Sequence, residues 1–256
     1  QPSYREMCQG KGSYIRRKSP ERVVAELEAV RRDYPLGNAH FSDDLFIADP
    51  RWLRRYVDLT RGTAQLPYTM NCSADLISEQ TAGLLARSGC RAVAIGVETA
   101  DQGRRRSILG KEISNETIRR AARLIREHGM TLVTFSMLAA PGETVQGAMD
   151  TLRFNASIGA NHARVGICFP IPGTEMARQA LADGQCIEGF GQDIHRRDDS
   201  RMSHPRVFFH SAAAQEGQLL NLLQLFSLGI SIPRSIPTLE RLIRLPANPL
   251  FALGRL

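Results

Sequence analysis

Apolar positions along the chain follow two rhythms that alternate. One is helical: Val23, Leu27 and Val30 fall on a single face. Ser19, Pro20 and Glu21 precede them as N-cap, first-position proline and first-turn acid, so a helix starts there. The other rhythm is a short unbroken apolar run, clearest in Ala92–Val97, which reads as a strand. Extending the reading gives a strand near Ala39–Phe41 and a helix capped by Asp49 through Trp52, Leu53 and Val57. A strand at Tyr68–Asn71 and a helix capped by Ser78 and ended by Gly89 come next. Beyond Ala92–Val97, Ser114 caps a helix holding Ile118, Ala121, Ala122 and Ile125, ended by Gly129. A strand at Thr131–Met137, a helix over 143–158, a strand at Arg164–Phe169 and a short helix capped by Thr174 complete the run. Strands apolar on both faces belong in a parallel sheet covered by helices. Successive βα units of this length predict an α/β barrel or partial barrel with right-handed crossovers.

The rhythm changes after Ala182. Residues 183–205 are polar and read as a long loop. From Ala212 the chain is helical and leucine-rich, then broken by Pro233, Pro237, Pro246 and Pro249. The expected organisation is a barrel over 1–182 and a loop and helical extension over 183–256. The extension mixes Leu and Ile with Arg234, Arg241, Arg244 and Arg255. It reads as a cap on the barrel, or as a surface for peripheral membrane contact.

Composition narrows the classes. Hydrophobic residues at 43% and charged residues at 23% fit a folded globular chain and exclude a disordered one. A net charge of +7 invites a nucleic-acid reading. No basic stripe interleaved with aromatics supports it, and aromatics make up only 6%, so no nucleic acid is expected. Five widely spaced cysteines, Cys8, Cys72, Cys90, Cys168 and Cys186, form no C-x-x-C pair. They argue against a disulfide framework and for a reducing, cytoplasmic setting. No two histidines have ligand spacing.

Sites in parallel α/β folds form at the C-terminal ends of strands. Five polar strand-end turns occur in order. The first carries Asp43 and Asp44, adjacent carboxylates suited to a cationic amine or a sugar hydroxyl. The second carries Asn71 and Ser73. The third carries Gly96, Glu98 and Thr99: glycine allows close approach, and a glutamate directly after an apolar strand needs a partner. The fourth, from Ser136 through Leu138, turns at Pro141–Gly142 into a helix N-terminus. The fifth, with Phe169 and Ile171, makes another proline-rigid turn.

In this order the motifs resemble the radical S-adenosylmethionine (SAM) enzymes, especially their cobalamin-associated branch. The stretches that carry the resemblance are Gly10–Glu21 (GKGSYIRRKSPE), Phe41–Phe46 (FSDDLF), Gly96–Glu98 (GVE), Pro141–Thr144 (PGET), Phe169–Glu175 (FPIPGTE) and Leu245–Leu250 (LPANPL). The combination spans nearly the whole chain; no one stretch is specific alone. The resemblance implies a partial (β/α)6 TIM-like barrel of parallel strands. It implies a 4Fe-4S cluster on three cysteines, and SAM cleaved by one electron to a 5′-deoxyadenosyl radical for C–H functionalisation. By position, Asp43 and Asp44 would meet the SAM amino group, and Glu98 and Thr99 the ribose. Asn71 and Ser73 would join the barrel mouth. Ser136, Leu138, Phe169 and Ile171 would flank adenine and methionine. Cobalamin would enter through a further N-terminal domain, an electron donor such as ferredoxin or flavodoxin would supply the electron, and the substrate would be a small or lipid-like molecule.

Two departures stand out. The family's C-x-x-x-C-x-x-C loop and the strand before it are absent, and Cys8 alone cannot replace three ligands. The family's Glu-Ser-Gly is Glu98-Thr99-Ala100 here. The sequence is therefore expected to be a fragment, inactive without an upstream cysteine loop. A naturally shortened SAM- or partner-binding module is the alternative. A metal-dependent TIM-type lyase or hydrolase using Asp43, Asp44 and Glu98 is the third reading.

Overall fold

The computed structural model describes residues 9–10, 17–43, 46–61, 66–169, 171, 174–184, 213–246 and 251. Helices and strands alternate: α1 (Pro20–Asp33), β1 (Ala39–Phe41), α2 (Pro50–Thr60), β2 (Tyr68–Cys72), α3 (Glu79–Arg87), β3 (Cys90–Glu98), α4 (Gln102–Ser107), α5 (Asn115–Glu127), β4 (Thr131–Leu138), α6 (Val145–Ser157), β5 (His162–Ile167), α7 (Glu175–Ala182), α8 (Ala213–Ser231) and α9 (Ile236–Leu242). The sheet order is β1-β2-β3-β4-β5, the sequential order that consecutive βα units produce. The pairs β1–β2 and β4–β5 are parallel, with Ala39 opposite Tyr68 and Val133 opposite His162.

The chain divides into two compact units. The first contains residues 1–94 and 124–131. Tyr68, Met70 and Cys72 alternate to its buried side. Tyr68 meets the edge of Phe41, which stacks on Phe46 at 4.3 Å between ring centroids. Tyr56 and Trp52 of α2 stack on one another at 5.5 Å and close this aromatic cluster. The Tyr68 hydroxyl shares a 2.6 Å hydrogen bond with Ser88, whose hydroxyl also donates to Leu85 O at the end of α3. α3 starts with a reciprocal capping box between Ser78 and Thr81. α1 and α2 are tied by Arg55–Glu21 at 2.7 Å and by Trp52 Nε1 donating to Lys18 O at 2.8 Å.

The second unit contains residues 95–123 and 132–256. α8 packs on α6 and β5. Its Leu219, Leu222, Leu223, Leu225, Phe226 and Ile230 are all buried, more than one helix face supplies. Asn221 on α8 donates to Ile243 O and Leu245 O, satisfying carbonyls at the end of α9. Arg153 of α6 pairs with Glu240 of α9. No helix among the described residues is long and apolar enough to cross a membrane.

Three details differ from the sequence reading. β5 covers His162–Ile167, two residues earlier than expected, because pairing with β4 sets its register. α6 starts at Val145: Thr144 is its N-cap, accepting from Gly147 N at 3.1 Å, which leaves Glu143 outside the helix. α4 was not foreseen, since Gln102–Ser107 has no apolar periodicity and depends on the Asp101 cap. The long loop from 185 onward, Asp44 and the segment 247–250 lie outside the described residues.

Phe46 is 5% exposed at the centre of the aromatic cluster. Phe46→Ala is expected to cost about 3–5 kcal/mol in denaturant unfolding, and Phe46→Leu less than about 1.5 kcal/mol.

Candidate functional site

The most constrained strand end is that of β3. Gly96 and Glu98 are two residues apart and share a face. The chain then folds into a three-residue turn: Thr99 N donates to Val97 O at 2.8 Å, and Glu98 takes φ 64°. That left-handed conformation costs a residue with a Cβ about 1–3 kcal/mol unless its surroundings enforce it. They do. Arg105 on α4 is fully buried and donates to Val97 O at 3.0 Å and to Thr99 O, the carbonyls on either side of Glu98. It also donates to Ile113 O at 2.7 Å and Asn115 Oδ1 at 2.8 Å. Burial pulls the Arg105 pKa down, against the attraction of Glu98 and Asp101. The Thr151 hydroxyl accepts from Ala100 N at 3.0 Å, and Asn115 Nδ2 donates to Ala100 O at 2.9 Å. Thr99 is buried, and its hydroxyl accepts from Asp101 N at 3.2 Å.

The Glu98 side chain is only 10% exposed and pairs with Lys111, whose side chain is 45% exposed. Both lie directly over Gly96: a Cβ there would collide with Glu98 Oε1 and stand 3.2 Å from Lys111 Nζ. A side chain at 96 would therefore have to displace the Glu98 carboxylate from where it now lies. The partner that Glu98 needs is Lys111.

The end of β4 repeats the device. Ala139 has φ 59° and Gly142 φ 65°. Arg104 of α4 donates to Pro141 O and, at 3.0 Å, to Gly142 O. Glu143 is buried; its N donates to Ala140 O at 2.9 Å, and its Oε2 accepts from Ala140 N at 3.4 Å. Its Oε1 is buried without a hydrogen-bond partner. Burial raises the Glu143 pKa to about 7, opposed by the backbone hydrogen bonds and by Arg104. Ser136 accepts from Asn155 Nδ2 of α6 at 3.0 Å, and Leu138 is fully buried. Any ligand contact at these two positions would thus be through backbone or through the turn that follows.

At the end of β5, Cys168 is buried and hydrogen-bonds its N to Leu138 O at 2.7 Å. Phe169 is half-buried and Ile171 is 59% exposed. Of the positions expected in the first unit, Asp43 is exposed and Asp44 lies outside the described residues. Asn71 is half-buried, with Oδ1 shielded and unpartnered, on the side of β2 opposite Tyr68 and Met70. Ser73 precedes a short 3-10 turn without a side-chain capping bond. The second unit thus brings Glu98 and Thr99 together. It adds Arg105, Lys111, Arg104 and Glu143, which sequence reasoning missed. The one signal for the three cations was that a glutamate after an apolar strand calls for a positive partner, and the next cations in the chain are Arg104–Arg106 and Lys111.

Cys72, Cys90 and Cys168 are free and buried. Burial pushes Cys90 and Cys168 up to about 12 and Cys72 higher still, so none is a thiolate at neutral pH. Among the described residues no group of three or more His, Cys, Asp and Glu could hold a metal ion. The metal-dependent lyase or hydrolase reading finds no donor set there, and neither does an iron–sulfur cluster. Cys8 and Cys186 lie outside the described residues.

Residues 3–154 match the radical SAM superfamily. The chain belongs to that superfamily, and its sequential βα architecture is the partial TIM-like barrel class. Among its relatives is an uncharacterized methyltransferase of Pyrococcus horikoshii, 25% identical over 176 residues, covering 67% of this chain and 38% of that protein. Another is the cytidylyl-2-hydroxyethylphosphonate methyltransferase of Streptomyces wedmorensis, 23% identical over 181 residues, covering 68% and 34%. The radical SAM methyltransferase TsrM of Kitasatospora setae, solved with cobalamin and a 4Fe-4S cluster bound, has a similar fold. Its TM-score is 0.58, at 22% identity, over 65% of this chain and 34% of that one. Coproporphyrinogen III oxidase of Escherichia coli, a radical SAM enzyme, aligns over 89% of this chain and 48% of that one, with TM-score 0.52 and 16% identity. The chain thus spans between a third and two fifths of the curated relatives' length. Family membership implies SAM and a 4Fe-4S cluster as cofactors.

Glu143 binds a proton more tightly folded than unfolded. Between its ordinary value of 4.5 and about 7, the folded state holds the extra proton, so stability falls as pH rises through that window. Unfolding free energy is expected to drop by up to about 3 kcal/mol between pH 5 and pH 8 from this group, and Glu143→Gln is expected to flatten that slope. Denaturant titrations of both proteins at the two pH values measure it.

Proposed function

We propose that this chain is the SAM-binding part of a cobalamin-dependent radical SAM methyltransferase acting on a small organic or lipid-like substrate. Glu98 carries the reading. A carboxylate that is almost wholly buried, held in an enforced turn at a strand end above a glycine, is an acceptor prepared for paired hydroxyls such as those of a ribose. Its fit to SAM rests on that carboxylate and on the cationic Lys111 beside it.

When bound, SAM supplies either a methyl group or, on reductive cleavage, a 5′-deoxyadenosyl radical. The chain's own residues bind and orient. Glu98 accepts the ribose hydroxyls, and Thr99 fixes the turn that presents it. Phe169 and Ile171 give apolar surface for adenine and methionine, and Ser136 and Leu138 contribute through their backbone and the turn that follows. Asp43 and Asp44 receive the SAM amino group, and Asn71 and Ser73 join the mouth of the barrel. In this reading residues 1–182 form the barrel and 183–256 its extension. The cluster ligands and the cobalamin domain belong to chain outside this sequence, and an electron donor such as ferredoxin or flavodoxin serves the cluster. The methyltransferases among the relatives, and cobalamin in TsrM, support methyl transfer over other radical outcomes.

Calorimetric titration of the full-length protein with SAM tests the carrying observation. Glu98→Ala is expected to weaken binding by about 10- to 100-fold, the worth of hydrogen bonds to a charged acceptor. Unchanged affinity would remove Glu98 from the SAM site and sink the reading.

A further inference from the structure

Among the described residues, Arg105 is the largest fully buried side chain and has no carboxylate in hydrogen-bond contact. Burying a charge without a directly bonded counter-ion is unfavourable, so a purely space-filling role would be better served by a neutral residue. Its donors reach three carbonyls and one amide oxygen. Two of the carbonyls, Val97 O and Thr99 O, flank the one residue of β3 with a left-handed backbone, and Glu98 is also the nearer in effect of the two anions that attract the guanidinium. The Nε and Nη2 donors of one rigid plane hold the two ends of the same turn. A lysine keeps the charge, but a single nitrogen does not reproduce that fork.

We propose that Arg105 is a positioning residue for the ligand site: by clamping the carbonyls before and after Glu98 it enforces the turn that presents the Glu98 carboxylate to the bound molecule. The role of Glu98 as a SAM contact rests on the function proposed above; the clamp itself does not. Arg105 touches no ligand and acts through the backbone of its neighbour. Ile113 and Asn115, bound by the same guanidinium, anchor the clamp to the segment leading into α5. Loss of the arginine would free Glu98 to relax towards a right-handed or extended backbone, and its carboxylate would leave Lys111 and Gly96.

The test is a pair of double-mutant cycles in the full-length protein. The first reads thermal midpoint with Arg105→Lys and Glu98→Gly. Glycine adopts positive φ without a clamp, so the fall in midpoint caused by Arg105→Lys is expected to be at least halved in the Glu98→Gly background. An equal fall in both backgrounds overturns the clamp. Where Arg105→Lys alone does not fold, recovery of folding in the double variant supports the clamp, and failure to recover overturns it. The second cycle reads SAM affinity by calorimetry with Arg105→Lys and Glu98→Ala. Arg105→Lys is expected to weaken SAM binding roughly tenfold or more in the wild-type background and less than about twofold when Glu98 is already alanine. Equal losses would mean that Arg105 does not act through Glu98. If Glu98→Ala leaves SAM affinity untouched, the functional reading of Glu98 fails, and the thermal cycle still decides the clamp.

Discussion

Arg105 places a full positive charge inside the protein and directs its donors to backbone oxygens, and the end of β3 depends on where those donors go. Without them the turn at Glu98 would have to pay for a left-handed glutamate from its own hydrogen bond between Thr99 N and Val97 O. With them the turn is held from both sides, Asn115 and Thr151 secure Ala100, and Glu98 meets Lys111 above Gly96. The glycine, the glutamate, the lysine and the buried arginine form one arrangement around the turn at the end of β3.

α4 serves a second strand end in the same way. Arg104, one residue before Arg105, holds the carbonyls of Pro141 and Gly142 in the turn after β4, where Ala139 is also left-handed. A helix turns by about 100° per residue, so consecutive arginines point in different directions. Arg104 lies over one turn, Arg105 under another, and Arg106 remains exposed beside Glu112. Six residues with no apolar face thus tie two strand ends of the second unit together.

Elements were legible in the sequence where their signals are local. Ser19, Asp49, Ser78 and Thr174 cap the helices assigned to them, because a capping oxygen needs only the backbone N–H groups two or three residues on. β1 was legible to the residue, since Ala39–Phe41 is bounded by polar turns. The candidate site was legible as a place, the turn after Ala92–Val97, but not as a mechanism. Nothing in the letter sequence distinguishes a glutamate with positive φ from an extended one. Nothing in three successive arginines says which one is buried, since that depends on the carbonyls that the fold brings to it. α4 escaped notice for the same reason, and Glu143 read as the start of α6, whereas Thr144 is its cap.

The three described cysteines have a practical meaning for handling the protein. Cys72, Cys90 and Cys168 are shielded thiols that resist deprotonation. In the folded state they stay silent to alkylating reagents and leave added ferrous iron and sulfide alone. Rapid labelling of a native preparation therefore counts sulfurs elsewhere in the polypeptide, and slow labelling of these three becomes a clock for local opening of the strands that carry them.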